Sequence, residues 1–141
     1  GKSSFDQIKF KSNLLTLDDV EKIIFLDGDA SITRGSSVIN ALTGNIWLDS
    51  YHSGVKYFSM NDDVELTDGF INSKGNAVVR KSFSERLEGF SEEEKLVLSG
   101  FPQVEQEGDI IKGNKMIIRE DQEMIEIINT NSQFNLDNGG R

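Results

Sequence analysis

The sequence of 141 residues contains no cysteine, one proline and one histidine. Without cysteine the chain can form neither a disulfide nor a thiolate metal site, although an oxidising compartment is still compatible with it. No run of 18 apolar residues occurs, so no segment is long enough to cross a membrane as a helix. No apolar run follows residues 1–4. No signal peptide is therefore visible, and exported and cytoplasmic origins both remain open.

Positive charge is scarce relative to negative charge. The chain has 15 Lys and Arg residues against 24 Asp and Glu residues, which gives a net charge of −9. This balance disfavours binding to nucleic acid and anchoring on anionic lipid surfaces, since both need a basic surface. Only 36% of the residues are apolar and 28% are charged, a composition typical of a soluble protein with a thin or open core. An anionic ligand would have to be held mainly by contacts other than the overall charge.

Sequence motifs for catalysis are also missing: there is no glycine-rich phosphate loop, no H-E-x-x-H and no G-x-S-x-G. His52, in the stretch DSYHSG, is predicted to be a solvated turn residue, and a lone histidine cannot bind zinc without several carboxylates. The stretches DGD (27–29) and NDD (61–63) are the best calcium candidates. Turn chemistry explains their Gly, Asn and Asp without a metal. We therefore predict a protein that is not an enzyme and has no metal or cofactor.

What the sequence does contain is glycine, 13 residues of it, and short runs of alternating apolar and polar residues. Gly, Asn and Asp bound nine or more such runs at spacings of roughly 8–12 residues, which predicts strands. A helical turn could form within residues 14–25, but VEKIIFLDG reads better as a strand. The stretch SFSERLEGFSEEEKL, interrupted by Gly89, is predicted to form strand, turn and strand. The pattern indicates an all-β protein with an antiparallel sandwich, barrel or roll.

The chain repeats itself about three times. At an offset of 72 residues, five positions correspond: Ile24 and Leu96, Leu26 and Leu98, Gly28 and Gly100, Ile32 and Val104, Ile39 and Ile111. A middle copy lies at an offset of 34 residues, where Phe58, Met60 and Leu66 match Ile24, Leu26 and Ile32. A repeat of this size cannot bury its apolar face alone, so neighbouring copies must cover it.

Alternation within the predicted strands places the matched apolar residues on one face. Such rows predict an elongated apolar interior between two sheets. Strands at the two ends of the stack keep unpaired edges, and we expect these edges to pair with another subunit by strand addition. We predict a lead-in strand in residues 1–19, a single domain in residues 20–136, and a disordered tail in residues 137–141.

Two groups of side chains admit a structural or a ligand-binding interpretation. Trp47 and Tyr51 lie close together in NIWLDSY and predict either packing within the sheet or the rim of a ligand site. Four basic residues form the one locally basic region of the sequence: Lys74, Arg80, Lys81 and Arg86. They form a solvated strand face or contact the phosphate groups of a ligand.

The stretch EEEKLVLSGFPQVEQEGDIIKGNKMIIREDQEMIEI resembles the OstA-like repeat of the lipopolysaccharide-transport family. The run KLVLSG ends at Gly100, and KGNKMIIRED contains Gly113 and Asn114 where that repeat opens a further strand. The resemblance covers residues 20–136. Two departures are Phe101-Pro102, a predicted bulge or edge position, and Asn61-Asp62 where the middle copy lacks a glycine.

The resemblance implies a twisted β-jelly roll, open at its ends, of two antiparallel sheets in a V. It also implies a periplasmic protein without catalytic activity that holds the acyl chains of lipopolysaccharide (lipid A) in an apolar groove. Its partners would be transport proteins of the inner and outer membranes and further copies of itself, joined head to tail into a bridge. In layout the chain is closest to the family's periplasmic bridge member. The membrane-anchored sibling and the N-terminal domain of the outer-membrane member remain alternatives.

The groove residues that this interpretation predicts are the apolar residues at matched positions: Ile24, Leu26, Ile32, Phe58, Met60, Leu66, Leu96, Leu98, Val104, Met116 and Ile118. A structural or adhesive β-repeat protein with a filled core is the alternative from another class. It would show no groove and would bind no lipid.

Overall fold

The structure is a computed structural model that describes residues 8–50, 54–120 and 122–129. All regular elements in this part of the chain are β-strands, and none is a helix that could cross a membrane. Tyr51, His52 and the predicted tail lie outside the described residues. The strands are β1 (Ile8–Lys11), β2 (Leu14–Asp18), β3 (Ile23–Arg34), β4 (Ser37–Leu48), β5 (Val55–Ile71), β6 (Ala77–Phe90), β7 (Lys95–Ser99), β8 (Gln103–Gln106), β9 (Asp109–Lys112), β10 (Lys115–Arg119) and β11 (Ile125–Ile128).

All strand pairs are antiparallel, and the pairing divides the molecule into two leaves. One half of β3 pairs with β1 and the other half with β2, while β6 pairs with β8 through one half and with β7 through the other. The first leaf contains β1, Ala30–Arg34 of β3, Ser37–Ala41 of β4, Val64–Ile71 of β5, Ala77–Ser84 of β6, β8 and β9. The second leaf contains β2, the other halves of β3 to β6, and β7, β10 and β11. We call the line where the strands pass between leaves the corner, and the opposite side the mouth.

Backbone conformation marks the corner in each copy of the repeat. Two adjacent residues with positive φ occur there in all three copies: Gly28 (84°) and Asp29 (46°), Asp62 (71°) and Asp63 (55°), Gly100 (78°) and Phe101 (54°). Register shifts in β3 and β5 fall at the first two pairs. Such bulges bend a strand sharply. The equivalent residues therefore adopt the same backbone conformation at the corner in each copy, which confirms the repeat.

The structure corrects one detail of the predicted strands. DGD and NDD were expected to be turns between short strands, but both are bulges within continuous strands of 12 and 17 residues. Antiparallel pairing continues on both sides of each bulge, so the hydrogen-bonded ladder does not end there. In the third copy the strand does break, between β7 and β8, and Phe101 lies at this break with 85% of its surface exposed.

The described turns at the mouth lie on both leaves, residues 35–36 and 72–76 on the first and residues 19–22 and 91–94 on the second. Lys22 and Glu94, 72 residues apart, have φ angles of 59° and 51° in equivalent turns of the second leaf. SFSERLEGFSEEEKL forms the end of β6, a turn and the start of β7, as predicted. Each long strand thus crosses the corner from one leaf to the other, and the chain adds strands to both leaves as it proceeds.

One apolar cluster fills the space between the leaves. It includes Ile32 and Leu66 from the first leaf and Leu26, Phe58 and Leu98 from the second, each at most 1% exposed. Because inward residues alternate with outward residues along every strand, this burial follows directly from the apolar alternation in the sequence. The all-β, repeat-built antiparallel fold is confirmed, and its two layers are the leaves of one bent 11-stranded sheet.

Candidate functional site

The interior between the leaves is the site that the sequence singles out. All eleven predicted groove residues lie in this interior, with exposed fractions between 0% and 8%. Their mutual contact follows from pairing: Met116 pairs with Leu98 and Ile118 with Leu96 across β10 and β7. The interior is closed in this structure, since these side chains have almost no contact with solvent. Their role in binding a ligand stays a prediction.

Two glycines make room for large side chains in the second leaf. A Cβ atom on Gly89 would overlap the ring of Phe58, and one on Gly44 would lie 2.5 Å from the sulfur of Met60. Both glycines lie at inward-facing positions of their strands, so the Phe58 ring and the Met60 thioether pack directly over the backbone there. Phe58 and Met60 therefore fill the middle of the interior from the second leaf.

The interior is exposed at both ends of the stack. At the N-terminal end, Leu15 and Leu17 of β2 pair with Leu26 and Ile24 and share their inward face, yet are 47% and 52% exposed. At the C-terminal end, Ile127 of β11 pairs with Met116 and is 43% exposed. The apolar lining thus continues to both ends, where the described residues provide no further strand to cover it.

A row of polar residues crosses the inner face of the first leaf next to the mouth. We call it the polar row. Each member lies on its strand two residues closer to the mouth than a residue of the interior, and therefore on the same face. The members are Arg34, Ser37, Asp68, Arg80 and Gln106. The first four are at most 3% exposed. Buried charge requires partners, so their hydrogen bonds and ion pairs define what the row can do.

Arg80 is held by a complete set of partners. Its Nε and Nη2 atoms donate to the two carboxylate oxygens of Asp68 at 3.1 and 2.7 Å. Its Nη1 atom lies 3.3 Å from Oε1 of Gln106 and 3.3 Å from the carbonyl oxygen of Glu123, and its guanidinium stacks 4.8 Å from the ring centre of Phe70. A bidentate pair of this kind is strong and directional.

Arg34 connects the two leaves. Its Nε atom lies 3.9 Å from Oε2 of Glu120, which follows β10 in the second leaf, and its guanidinium carbon lies 5.9 Å from the ring centre of Phe58. Burial lowers the pKa of Arg34 to about 10, against the opposing influence of Glu120, Glu94 and Asp68. The guanidinium therefore still carries its charge at neutral pH.

Sequence reasoning missed Arg34 because a charged residue before Gly35 reads as the end of a strand. The signal was present: Arg34 is two residues beyond Ile32 and therefore on the same face. The four predicted phosphate contacts are not brought together. Lys74 lies in the turn after β5, and Lys81 lies 3.7 Å from Glu65 with half of its side chain exposed.

The fourth, Arg86, lies on the outer face of the second leaf, where its Nη2 atom donates to the hydroxyl of Tyr57 at 3.2 Å. Tyr57 donates to Glu88 at 2.5 Å and lies between Trp47 and Phe90, with ring centres 5.0 and 5.1 Å away. Burial, followed by the Glu88 carboxylate, raises the pKa of Tyr57 to about 12. Trp47 thus packs within the outer face of the sheet.

The described residues contain no group of three or more His, Asp or Glu side chains placed to hold a metal ion. The acids of DGD and NDD lie at the corner, where the positive φ angles of Asp29, Asp62 and Asp63 serve the bulges. What the geometry offers is an apolar interior with a charged row at its mouth.

Comparison with known proteins agrees with this geometry. A family model described as LptA/(LptD N-terminal domain) LPS transport protein matches residues 9–124. The structure is similar to that of LptH from Pseudomonas aeruginosa, described as the LptA homologous periplasmic component of the conserved lipopolysaccharide transport device. The TM-score is 0.76 at 20% identity, over 94% of this chain and 92% of that one. No curated protein sequence gives a significant match. The family match spans most of the chain, and the chain therefore belongs to the LptA/LptD N-terminal domain family of lipopolysaccharide transport proteins.

Proposed function

We propose that this protein carries the acyl chains of lipopolysaccharide in the interior between its leaves, in the periplasm, as part of a bridge between the two membranes. The observation that carries the proposal is the apolar lining that reaches both ends of the stack, where Leu17 and Ile127 are 52% and 43% exposed. An end of this kind offers an entrance that a packed globular core does not have.

Energetics favour acyl chains despite the charge of the protein. Burying each CH₂ group contributes about 0.8 kcal/mol, so a chain of ten such groups gains roughly 8 kcal/mol. Repulsion between an anionic lipid and the net charge of −9 acts mostly beyond the Debye length of about 8 Å at physiological salt, where it is screened. Burial of the chains therefore outweighs the repulsion.

The closed interior sets a condition on binding. Ile32, Phe58 and Leu98 are fully buried, so the leaves must separate before a chain that enters at an end can lie along the interior. The corner is covalently continuous, whereas the mouth is held by side-chain contacts. We therefore expect the leaves to part at the mouth, with the bulges of the corner as the hinge.

Assembly into a bridge is supported by the strands at the two ends. Within residues 8–50, 54–120 and 122–129, β1 and β2 each pair only with β3, and β9 and β11 pair only with β8 and β10. Each end thus offers two strand edges, one in each leaf, and pairing between unlike ends of two copies would extend both leaves. We propose the role of the LptA-type bridge protein, with LptC and the LptD N-terminal domain as the related alternatives.

Photo-crosslinking tests the carrier proposal with matched positions. Leu17 and Phe25 lie on adjacent strands with similar exposure, 52% and 40%, but on opposite faces of the second leaf. A photoreactive amino acid at Leu17 or at Phe58 should capture lipopolysaccharide in cells, whereas one at Phe25 should not. Equal capture at Leu17 and Phe25, or capture at neither interior position, would contradict the proposal.

A structural β-repeat protein with a filled core is a second candidate, favoured by the nearly complete burial of the eleven lining residues. Native mass spectrometry after mild purification distinguishes it from a carrier. The carrier should retain lipid that dissociates on activation, and a structural protein should give only the mass of the polypeptide.

A further inference from the structure

The two arginines of the polar row differ in how they depend on the closed interior. The carboxylate partner of Arg80 is Asp68 on the adjacent strand of the same leaf, at 2.7 Å. Arg34 instead forms an ion pair with Glu120 across the mouth, at 3.9 Å. Separation of the leaves would leave the Arg80–Asp68 pair intact, although it would break the contact of Arg80 with the carbonyl oxygen of Glu123. It would also withdraw Glu120 from Arg34.

Charge is distributed unevenly across the mouth. Among the members of the polar row, Arg34 and Arg80 are positively charged and Asp68 is negatively charged, which gives the row a net charge of +1. The acids that act on Arg34 from the other side, Glu120 and Glu94, belong to the turns of the second leaf. An open mouth would therefore present a cationic row on the first leaf, centred on Arg34.

Arg34 also lies at the boundary between polar and apolar lining. Its side chain is fully buried, it follows Ile32 on the same face, and its guanidinium lies against the Phe58 ring. A chain that lay along Ile32 and Phe58 would place the first group outside the apolar lining beside Arg34. Guanidinium groups bind phosphate and carboxylate oxygens in bidentate geometry.

We propose that Arg34 binds the anionic head group, a phosphate or carboxylate, of a lipid whose chains lie between the leaves, and that it exchanges Glu120 for this group when the mouth opens. In the protein without ligand, the Glu120 carboxylate then occupies the position that the anionic head group takes when the lipid binds. The inference rests on the proposed function and adds the residue that recognises the head group.

Two amphiphiles with the same chain test the exchange: dodecyl phosphate and the uncharged dodecyl maltoside, each titrated below its critical micelle concentration by calorimetry. The readout is the ratio of their affinities. Arg34→Gln should reduce the preference for dodecyl phosphate about tenfold or more, since hydrogen bonds to charged groups contribute about 1.5–3 kcal/mol. Arg34→Lys keeps the positive charge but loses the bidentate hydrogen-bonding geometry of the guanidinium. It should therefore retain part of that preference.

Glu120→Gln removes the competing carboxylate and should raise the affinity for dodecyl phosphate severalfold. Arg86→Gln, on the outer face, is the matched arginine control and should leave both affinities unchanged. Excess inorganic phosphate should not displace dodecyl phosphate, because the chain supplies most of the binding. Displacement would point to a site for a free anion and would overturn the proposal.

An unchanged affinity ratio in Arg34→Gln, or weaker binding of dodecyl phosphate to Glu120→Gln, would also overturn it. Should the wild-type protein bind neither amphiphile, the carrier function itself would fail. Binding of both amphiphiles without dependence on Arg34 would remove only the head-group role.

Discussion

Side-chain volume beside two inward-facing glycines determines how the second leaf fills the interior. Gly89 lies under the ring of Phe58, and Gly44 lies under the sulfur of Met60. Neither glycine has a positive φ angle, so each is required for space and has no special backbone conformation. Gly89 in particular allows Phe58 to lie against both the leaf and the guanidinium of Arg34.

Gly89→Ala should destabilise the protein by about 1–3 kcal/mol, the usual effect of overpacking a filled core. The free energy of unfolding from urea titration provides the measurement. Gly69→Ala is the matched control in a neighbouring strand, because its Cβ would meet only the carbonyl oxygen of Val78 at an ordinary 3.5 Å. Equal stability of the two variants would show that Phe58 can move away without loss.

At this scale, alternation predicted which residues point inward, and all eleven predicted residues are buried. It did not reveal the partners of the charged residues. Arg80 was grouped with Lys81 because they are adjacent in sequence, yet adjacent strand residues point to opposite faces. Its pair with Asp68 depends on the register of β5 and β6, which sequence patterns specify only weakly.

The long strands of this fold bend at the corner, and the position of the bend determines which part of a strand belongs to which leaf. Gly100 and Phe101 have positive φ angles at the corner, and a Cβ on Gly100 would lie 2.6 Å from the Cβ of Glu85. The amide of Glu85 also donates to the carbonyl of Gly100 at 3.0 Å. The corner of the third copy is thus tightly packed against β6.

Gly100→Ala should therefore destabilise the protein by at least about 2 kcal/mol, through the left-handed conformation and the overlap together. Gly75→Ala separates the two effects. Its φ of +83° is close to the +78° of Gly100, but nothing lies within 4 Å of its added Cβ. We expect Gly75→Ala to lose only about 1 kcal/mol in thermal unfolding. Similar losses in both variants would show that the contact with Glu85 is unimportant.

Sequence patterns located these bends but misassigned them. Gly, Asn and Asp mark positive φ angles wherever they are needed, and the same residues occur in turns and in bulges. Whether Asp62 and Asp63 end a strand or bend it depends on the strands beside β5. Those strands continue past the bulge in both leaves.

The whole molecule has two unlike ends, with β1 and β2 at one and β9 and β11 at the other. Contact between unlike ends of two copies would be heterologous, and heterologous contacts build rings or open chains in place of symmetric dimers. The repeat in the sequence predicted these edges. The fold of the leaves showed in addition that the apolar interior reaches both ends.

Apparent mass from light scattering should accordingly rise with protein concentration. Ile127→Lys places a charge on the exposed inner face of β11 and should reduce this rise, since lysine at an edge opposes strand addition. Val79→Lys, at an exposed position on the outer face of β6, should behave like the wild type. A single mass at all concentrations would contradict association through the strand edges.

The back-and-forth path of the chain has a consequence for how the protein folds. From β3 to β7, each strand pairs with the next one in sequence, so this part of the sheet is a series of successive hairpins of long strands. Residues at the open ends of such long hairpins are far apart in sequence, so the search for native pairing is slow, as in other all-β proteins. Each completed hairpin also presents the edge on which the following strand can form. A chain built in this way can grow its two leaves together from a single nucleus, and another copy of the repeat would lengthen the molecule without rearranging the rest.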